Sequence, residues 1–269
     1  MTHTITKQQD HILTLLIRFR FLTRRHIQTS LNHKNHTRIT TWLKDLTTQD
    51  YIGQIYSNAA GENTKPAVYY LKLKGIQAIR EQAIYPKDYL RKLYRESERS
   101  TAFISKCLLL ADICLELQRK RHGHIDDFPL YEAFTASDLW ASSPPILMSL
   151  PLDLVIRKSA AKNSKEYFLL EVLETTFTRP IIRRRILDFI RFYRGGEWEE
   201  STEVPFPTLL LACPTKAMLI SAKRTARKLL EEAQSPEDIS IWVAMTEDMK
   251  TQGMISKIWE PVPHSTDSE

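Results

Sequence analysis

The sequence predicts an α+β protein in two parts, a helical N-terminal domain that ends in a strand hairpin and a later mixed sheet flanked by helices. Three observations carry that reading. Apolar residues first recur at helical spacing, whereas beyond residue 128 the pattern turns to short strands separated by amphipathic helices. The length, 269 residues, suits two domains at about 100 to 200 residues each. Charge is also divided unevenly: residues 1–84 hold 12 Lys or Arg against 5 Asp or Glu, giving +7, and the remainder 26 against 27, giving −1. The basic excess is therefore N-terminal, with five of the eight histidines, and it favours a polyanionic partner.

Over residues 8–21, Ile12, Leu15, Leu16 and Phe19 mark a first amphipathic helix. The hydroxyl of Thr23 is placed to cap a second, short helix through Leu31, and Asn32 and His33 make the break. A third helix over about residues 35–49 has Ile39, Trp42, Leu43 and Leu46 inward and Lys34, Thr37, Arg38, Thr41 and Lys44 largely outward. Residues 51–56 and 67–73 read as a hairpin with a polar tip between them, and a helix from Gly75 to about Ala83 closes the unit. Helix, helix, helix, hairpin, helix is the order of a winged helix-turn-helix domain. The segment Lys65-Pro-Ala-Val-Tyr-Tyr-Leu-Lys-Leu-Lys-Gly75 resembles the second wing strand and next helix start of many bacterial winged-helix proteins.

Residues 85–127 read as a helical connector, charged over 85–100 and strongly apolar over 101–121, broken by His122-Gly-His-Ile-Asp-Asp127. Strands are expected at 128–134, 152–157, 167–173, 208–213 and 239–245, with helices at 180–193 and 216–233, giving a mixed sheet flanked by helices over 128–260. Residues 261–269 form an expected flexible tail.

The third helix is the candidate recognition helix, entering the major groove with its N-terminal side chains at base edges. Asn35, His36, Arg38 and Thr41 are the candidate base readers, since Arg pairs with guanine and Asn with adenine. Arg24, Arg25, Lys34 and Lys44 would hold phosphates, and Lys65 on the wing would reach the neighbouring backbone. The bland alternatives are a solvated helix face or a winged helix that binds protein.

In the second domain Asp153 on one strand precedes Glu171 on the next. Two such carboxylates suit a shared Mg²⁺, a hard cation that prefers oxygen and activates water for phosphodiester attack. Followed by a helix, the arrangement is similar to the core of the PD-D/E-x-K nuclease-like superfamily. The lysine of that pattern belongs two residues after the Glu, where this chain has Leu173. Arg183, Arg184 and Arg185 cannot all face one way on a helix; Arg183 and Arg184 are candidates for a phosphate-binding surface, with the third paired or solvated. An always-charged Arg suits phosphate binding better than proton transfer.

The run His11-Ile-Leu-Thr-Leu-Leu-Ile-Arg-Phe-Arg-Phe-Leu-Thr-Arg-Arg-His-Ile27, with Phe168-Leu-Leu-Glu-Val-Leu-Glu174 and a helix ending Phe189-Ile-Arg-Phe-Tyr193, resembles the replication-relaxation family of plasmid and mobile-element proteins. The resemblance implies a role in plasmid replication and DNA relaxation. That family's pattern has an Asp where this chain has Leu173. The expectation is a DNA-binding protein whose nuclease-like second domain does not cleave and which needs no cofactor. The alternatives are a Mg²⁺-dependent nuclease or nicking enzyme using Asp153 and Glu171, and a winged-helix transcription regulator or assembly protein. Expected partners are double-stranded DNA and replication or mobilisation proteins, with a homodimer open.

Other classes are excluded. No Walker A loop, dinucleotide glycine motif or nucleophile elbow is present. His122 and His124, beside Asp126 and Asp127, read as a polar turn. Cys107, Cys114 and Cys213 lack metal-site spacing and read as buried small hydrophobes. No apolar stretch approaches the roughly 20 residues needed to span a bilayer, and residues 1–10 are too polar for a signal peptide, so a cytoplasmic location is expected.

Overall fold

The structure is a computed structural model that describes residues 5–56, 66–80, 85–123, 129–142, 147, 150, 152–159, 164–233 and 238–263. The chain divides into two compact units, Met1–Leu115 and Glu116–Glu269.

In the first unit, α1 (Lys7–Phe19) starts at Thr6, whose hydroxyl accepts the Gln9 N–H at 3.3 Å while Gln9 Oε1 accepts the Thr6 N–H at 3.0 Å. These reciprocal bonds satisfy two of the donors a helix start leaves free. Ile12, Leu13, Leu16 and Ile17 are fully buried. The helix stops short of the expected Phe21 because Arg20 leaves helical space at φ 68, and β1 (Leu22–Thr23) follows. Thr23 caps α2 (Arg24–Ser30), and α3 (His36–Thr48) starts from Asn35. The wing strands β2 (Ile52–Ile55) and β3 (Val68–Leu71) pair antiparallel, with β1 against the other edge of β3, in the order β1-β3-β2. The wing tip, Lys65 included, lies outside the described residues.

The closing helix, α4 (Leu73–Arg80), has Gly75 inside it. A Cβ there would stand 2.3 Å from the Tyr51 carbonyl oxygen, so this crossing admits only glycine. The expected connector is in large part built into the same unit. It forms α5 (Lys87–Arg91), a single 3-10 turn at Glu96–Glu98, and α6 (Thr101–Gly123). Leu90 and Leu93 are buried, the Tyr89 hydroxyl donates to the Ile17 carbonyl at 3.0 Å, and Phe103 meets Phe21 edge-on at 6.2 Å. A sparse apolar set hidden among many charges therefore extends the compact unit to residue 115.

The second unit is a six-stranded sheet of β4 (Leu130–Thr135), β5 (Leu154–Ser159), β6 (Lys165–Val172), β7 (Thr208–Cys213), β8 (Ile241–Met245) and β9 (Glu260–Pro261), side by side in that order. The first three strands form an antiparallel meander, β6, β7 and β8 are parallel, and β9 returns antiparallel. Parallel neighbours need long crossovers. These contain α8 (Arg179–Arg194) with the short α9 (Glu197–Ser201), and α10 (Lys216–Glu232). One sheet face buries Val155, Leu169, Leu173, Leu209, Leu211 and Val243 in a core shared with Ile182, Ile186 and Phe189 of α8 and Ala222, Ala226 and Leu229 of α10.

The short α7 (Ala136–Ser142), α9, α11 (Thr246–Gln252) and β9 were not legible beforehand; two to seven residues hold too little periodicity to read. The three cysteines are all buried, and burial pushes the Cys213 thiol up to about 12. No helix among the described residues is long and apolar enough to cross a membrane.

Candidate functional site

The helix-turn-helix pair is set by local bonds. Gln28 on α2 donates its amide to the His33 carbonyl at 3.1 Å, and the His33 ring packs edge-on against Trp42 of α3 with centroids 5.2 Å apart. Trp42, expected inward, is only half-buried and packs against the turn at His33. Ile39, Leu43 and Leu46 anchor α3 in the core. The opposite face carries His36, Thr37, Arg38, Thr41 and Lys44, all exposed. At about 100° per residue, Thr37, Thr41 and Lys44 fall on one stripe, with Arg38 at its edge. Thr37, outside the expected set of readers, shares this exposed stripe through its spacing of four and seven residues from Thr41 and Lys44.

The Asn35 side chain is half committed: its Oδ1 accepts the Arg38 N–H at 3.2 Å as the cap of α3. Arg24 Nη1 donates to Gln28 Oε1 at 2.7 Å, which holds it along α2, while Arg25 and Lys34 are exposed. Of the other basic residues, Lys72 is paired with Asp50 at 2.7 Å, and Lys74 lies over the Tyr51 ring, donating to the Gln49 carbonyl at 2.9 Å.

His26 joins two elements of this unit. It completes the α2 capping box with Thr23, and its Nε2 is 3.0 Å from Asp112 Oδ1 on α6. It therefore ties the first turn of α2 to α6.

In the second unit, the register Leu154↔Leu170, carried one step further, sets Asp153 opposite Glu171. The two carboxylates expected on adjacent strands are thus brought together. Each has a partner already. Asp153 Oδ2 accepts the Val172 N–H at 2.8 Å. Glu171 is 4% exposed and meets Arg185 of α8, Nε to Oε1, at 3.2 Å. Leu173, at the lysine position of the nuclease-like pattern, lies in the core beneath α8. Among the described residues no group of three or more His, Cys, Asp or Glu is arranged to hold a metal ion.

The three arginines of α8 separate as helical geometry requires. Arg185 turns inward, Arg183 reaches Glu232 of α10 at 3.4 Å, and Arg184, with 83% of its side chain exposed, is 3.9 Å from Asp188. Of the two expected phosphate contacts, Arg184 is therefore the more open. His124, Asp126 and Asp127 lie outside the described residues.

Three helices, a two-stranded wing and an outward-facing third helix define a winged helix-turn-helix protein with a separate mixed-sheet unit. The chain belongs to the replication-relaxation family, whose model matches residues 13–207. The family assignment makes it a replication-related protein. No curated protein matches it. Among solved structures it is similar to ZitR, a zinc-responsive MarR family member of Lactococcus lactis, at 20% identity over 45% of this chain and 78% of that one, TM-score 0.27. It is also similar to the adhesin competence repressor AdcR of Streptococcus pyogenes, at 18% identity over 46% and 86%, TM-score 0.24. TM-scores this low lend no weight to either likeness.

Proposed function

We propose that the chain binds double-stranded DNA of a plasmid or mobile element through α3, in the service of replication or DNA relaxation, and that its second unit does not cleave. The exposed stripe of α3, with Arg38 beside Thr37, Thr41 and Lys44, carries the first part. It offers a bidentate donor for a base edge and a cation for phosphate on one turn-anchored helix. Arg25 and Lys34, both exposed, are the further phosphate contacts of this reading.

The second part rests on the carboxylate pair. Arg185 already neutralises Glu171 at Oε1, a backbone N–H holds Asp153 Oδ2, and Leu173 supplies no group to orient water. A Mg²⁺-dependent nicking enzyme is the second reading, favoured by the cross-strand placement of Asp153 beside Glu171. Replication or mobilisation proteins are the partners that fit this role, and a homodimer would double the DNA contact.

Titration of the full chain with duplex DNA across a salt series tests the reader. Lys44→Ala should lower the log-log salt slope by about 0.9. Arg38→Ala should alter sequence preference by about 1 to 3 kcal/mol at the contacted base. Unchanged curves for both variants remove α3 from the interface. A supercoiled-plasmid assay with Mg²⁺ or Mn²⁺ should show no nicking; nicking that Asp153→Ala and Glu171→Ala abolish would establish the nuclease reading instead.

A further inference from the structure

The sheet face turned away from α8 and α10 holds a cavity of about 540 Å³, well within the range of small-molecule sites. Side chains alternate along each strand, so Ile156, Phe168, Leu210 and Trp242 face this cavity while their neighbours Val155, Leu169, Leu211 and Val243 face the core. Its floor is ordered in cross-strand rows. Tyr131, Lys158 and Glu166 stand directly opposite one another on β4, β5 and β6. The next row holds Ile156, Phe168 and Thr208, and the one after it Leu210 and Trp242.

The remaining wall is the segment that follows α11, and it is held in place. The Met254 N–H donates to Glu116 Oε2 at 3.1 Å, and Trp259 Nε1 donates to the Met254 carbonyl at 2.9 Å. Glu260, the next residue, pairs with Lys223 at 2.9 Å. The indole of Trp259 is thereby held in the cavity wall, and the exposed Lys257 lies in the same segment and lines the cavity with it.

The lining has one chemical sense. Phe168, Trp242 and Trp259 put three aromatic side chains in the lining, the chemistry that suits a flat aromatic group. The polar row at one end offers an acceptor in Glu166, bonded to Lys158 at 2.8 Å, and a donor in Tyr131. Burial raises the pKa of Tyr131, so its hydroxyl keeps its proton. Lys257 supplies a cation for an anionic substituent. A purely aliphatic ligand would bury the polar row against carbon for no return. A nucleotide matches all three parts, with a base for the rings, polar edge atoms for the row and a phosphate for the lysine.

We infer that this cavity binds a single nucleotide unit, its base stacked among Phe168, Trp242 and Trp259 and its phosphate on Lys257. The unit can come from a free nucleotide or from an unpaired base of single-stranded DNA. This site is separate from the duplex reader on α3 and does not depend on it.

The test uses the full chain and two probes, deoxyadenosine monophosphate by calorimetry and a short fluorescein-labelled single-stranded oligonucleotide by anisotropy. Wild type should bind at least one; the oligonucleotide alone assigns the site to single strands, and the monophosphate alone to free nucleotide. Trp242→Leu should weaken that binding about tenfold, in the range of one lost stacking contact. Lys257→Glu should weaken it too, while neither change alters duplex binding. If Trp242→Leu does not fold, Lys257→Glu on the exposed segment decides alone. Absence of binding by both probes, variants that bind as wild type does, or equal loss in Lys44→Ala would overturn the assignment.

Discussion

Arg185 of α8 meets Glu171 of β6 at 3.2 Å, and that carboxylate is one of the two that strand pairing sets side by side. The pair joins the helix to the strand at the second carboxylate of the nuclease-like pattern, two residues before Leu173. Glu171 sits among apolar residues, and the guanidinium that reaches it also lies 5.7 Å from the Phe177 ring. The arrangement holds α8 on the sheet.

Arg185→Ala should therefore destabilise the protein by about 1 to 3 kcal/mol, the usual cost of taking a partner from a buried acceptor. Arg184→Ala, on the exposed side of the same helix, should stay within about 0.5 kcal/mol of wild type. Urea denaturation of both variants measures the contrast; equal stabilities would mean that the pair contributes nothing.

Asn35 has a structural duty as the cap of α3, from which the DNA contact proposed for it must be separated. Asn35→Ala should cost about 1 kcal/mol through loss of the α3 cap, whereas Asn35→Ser keeps a capping oxygen. Affinity lost by the Ser variant at unchanged stability reports a base contact. Full affinity in the Ser variant would leave Asn35 a cap alone.

Gly75→Ala should lower the melting temperature although alanine favours helix by about 1 kcal/mol. The new Cβ would lie 2.3 Å from the Tyr51 carbonyl oxygen and 3.0 Å from Leu71 Cδ2. Separating two backbone segments costs about 1 to 3 kcal/mol, the range of overpacked cores. A raised melting temperature would show that the crossing can open at no cost.

Glu96 is buried, and Oε2 has no hydrogen-bond partner among the described residues. Burial raises its pKa above the ordinary 4.5, with Arg20 and Arg99 pulling it back. A raised folded value means that its stabilising contribution is complete below 4.5 and is lost as pH rises through the folded pKa. Melting curves of wild type and Glu96→Gln should thus diverge in favour of the variant from pH 4.5 upward. A difference independent of pH would refute this.

What the sequence determined by itself was local. Thr23 before a basic apolar turn, the periodic Ile39, Leu43 and Leu46, and the run at Thr208–Cys213 name their elements, because a cap acts over three residues and an amphipathic stripe repeats every turn. The charge asymmetry was equally plain, being a property of composition. The tertiary structure decided everything that depends on which strand lies beside which. Asp153 and Glu171 were legible as a pair, but not the arginine that occupies Glu171, since three successive arginines differ only in the direction each takes around the helix. The packing of residues 85–115 onto the first unit was hidden because Tyr89, Leu90 and Leu93 are few among charges and gain their burial from α1 and its neighbours. The row Tyr131, Lys158, Glu166 joins residues far apart in sequence, and only register aligns them. Register is set by a whole buried face, not by any single residue, which is why a chain read from end to end does not disclose it.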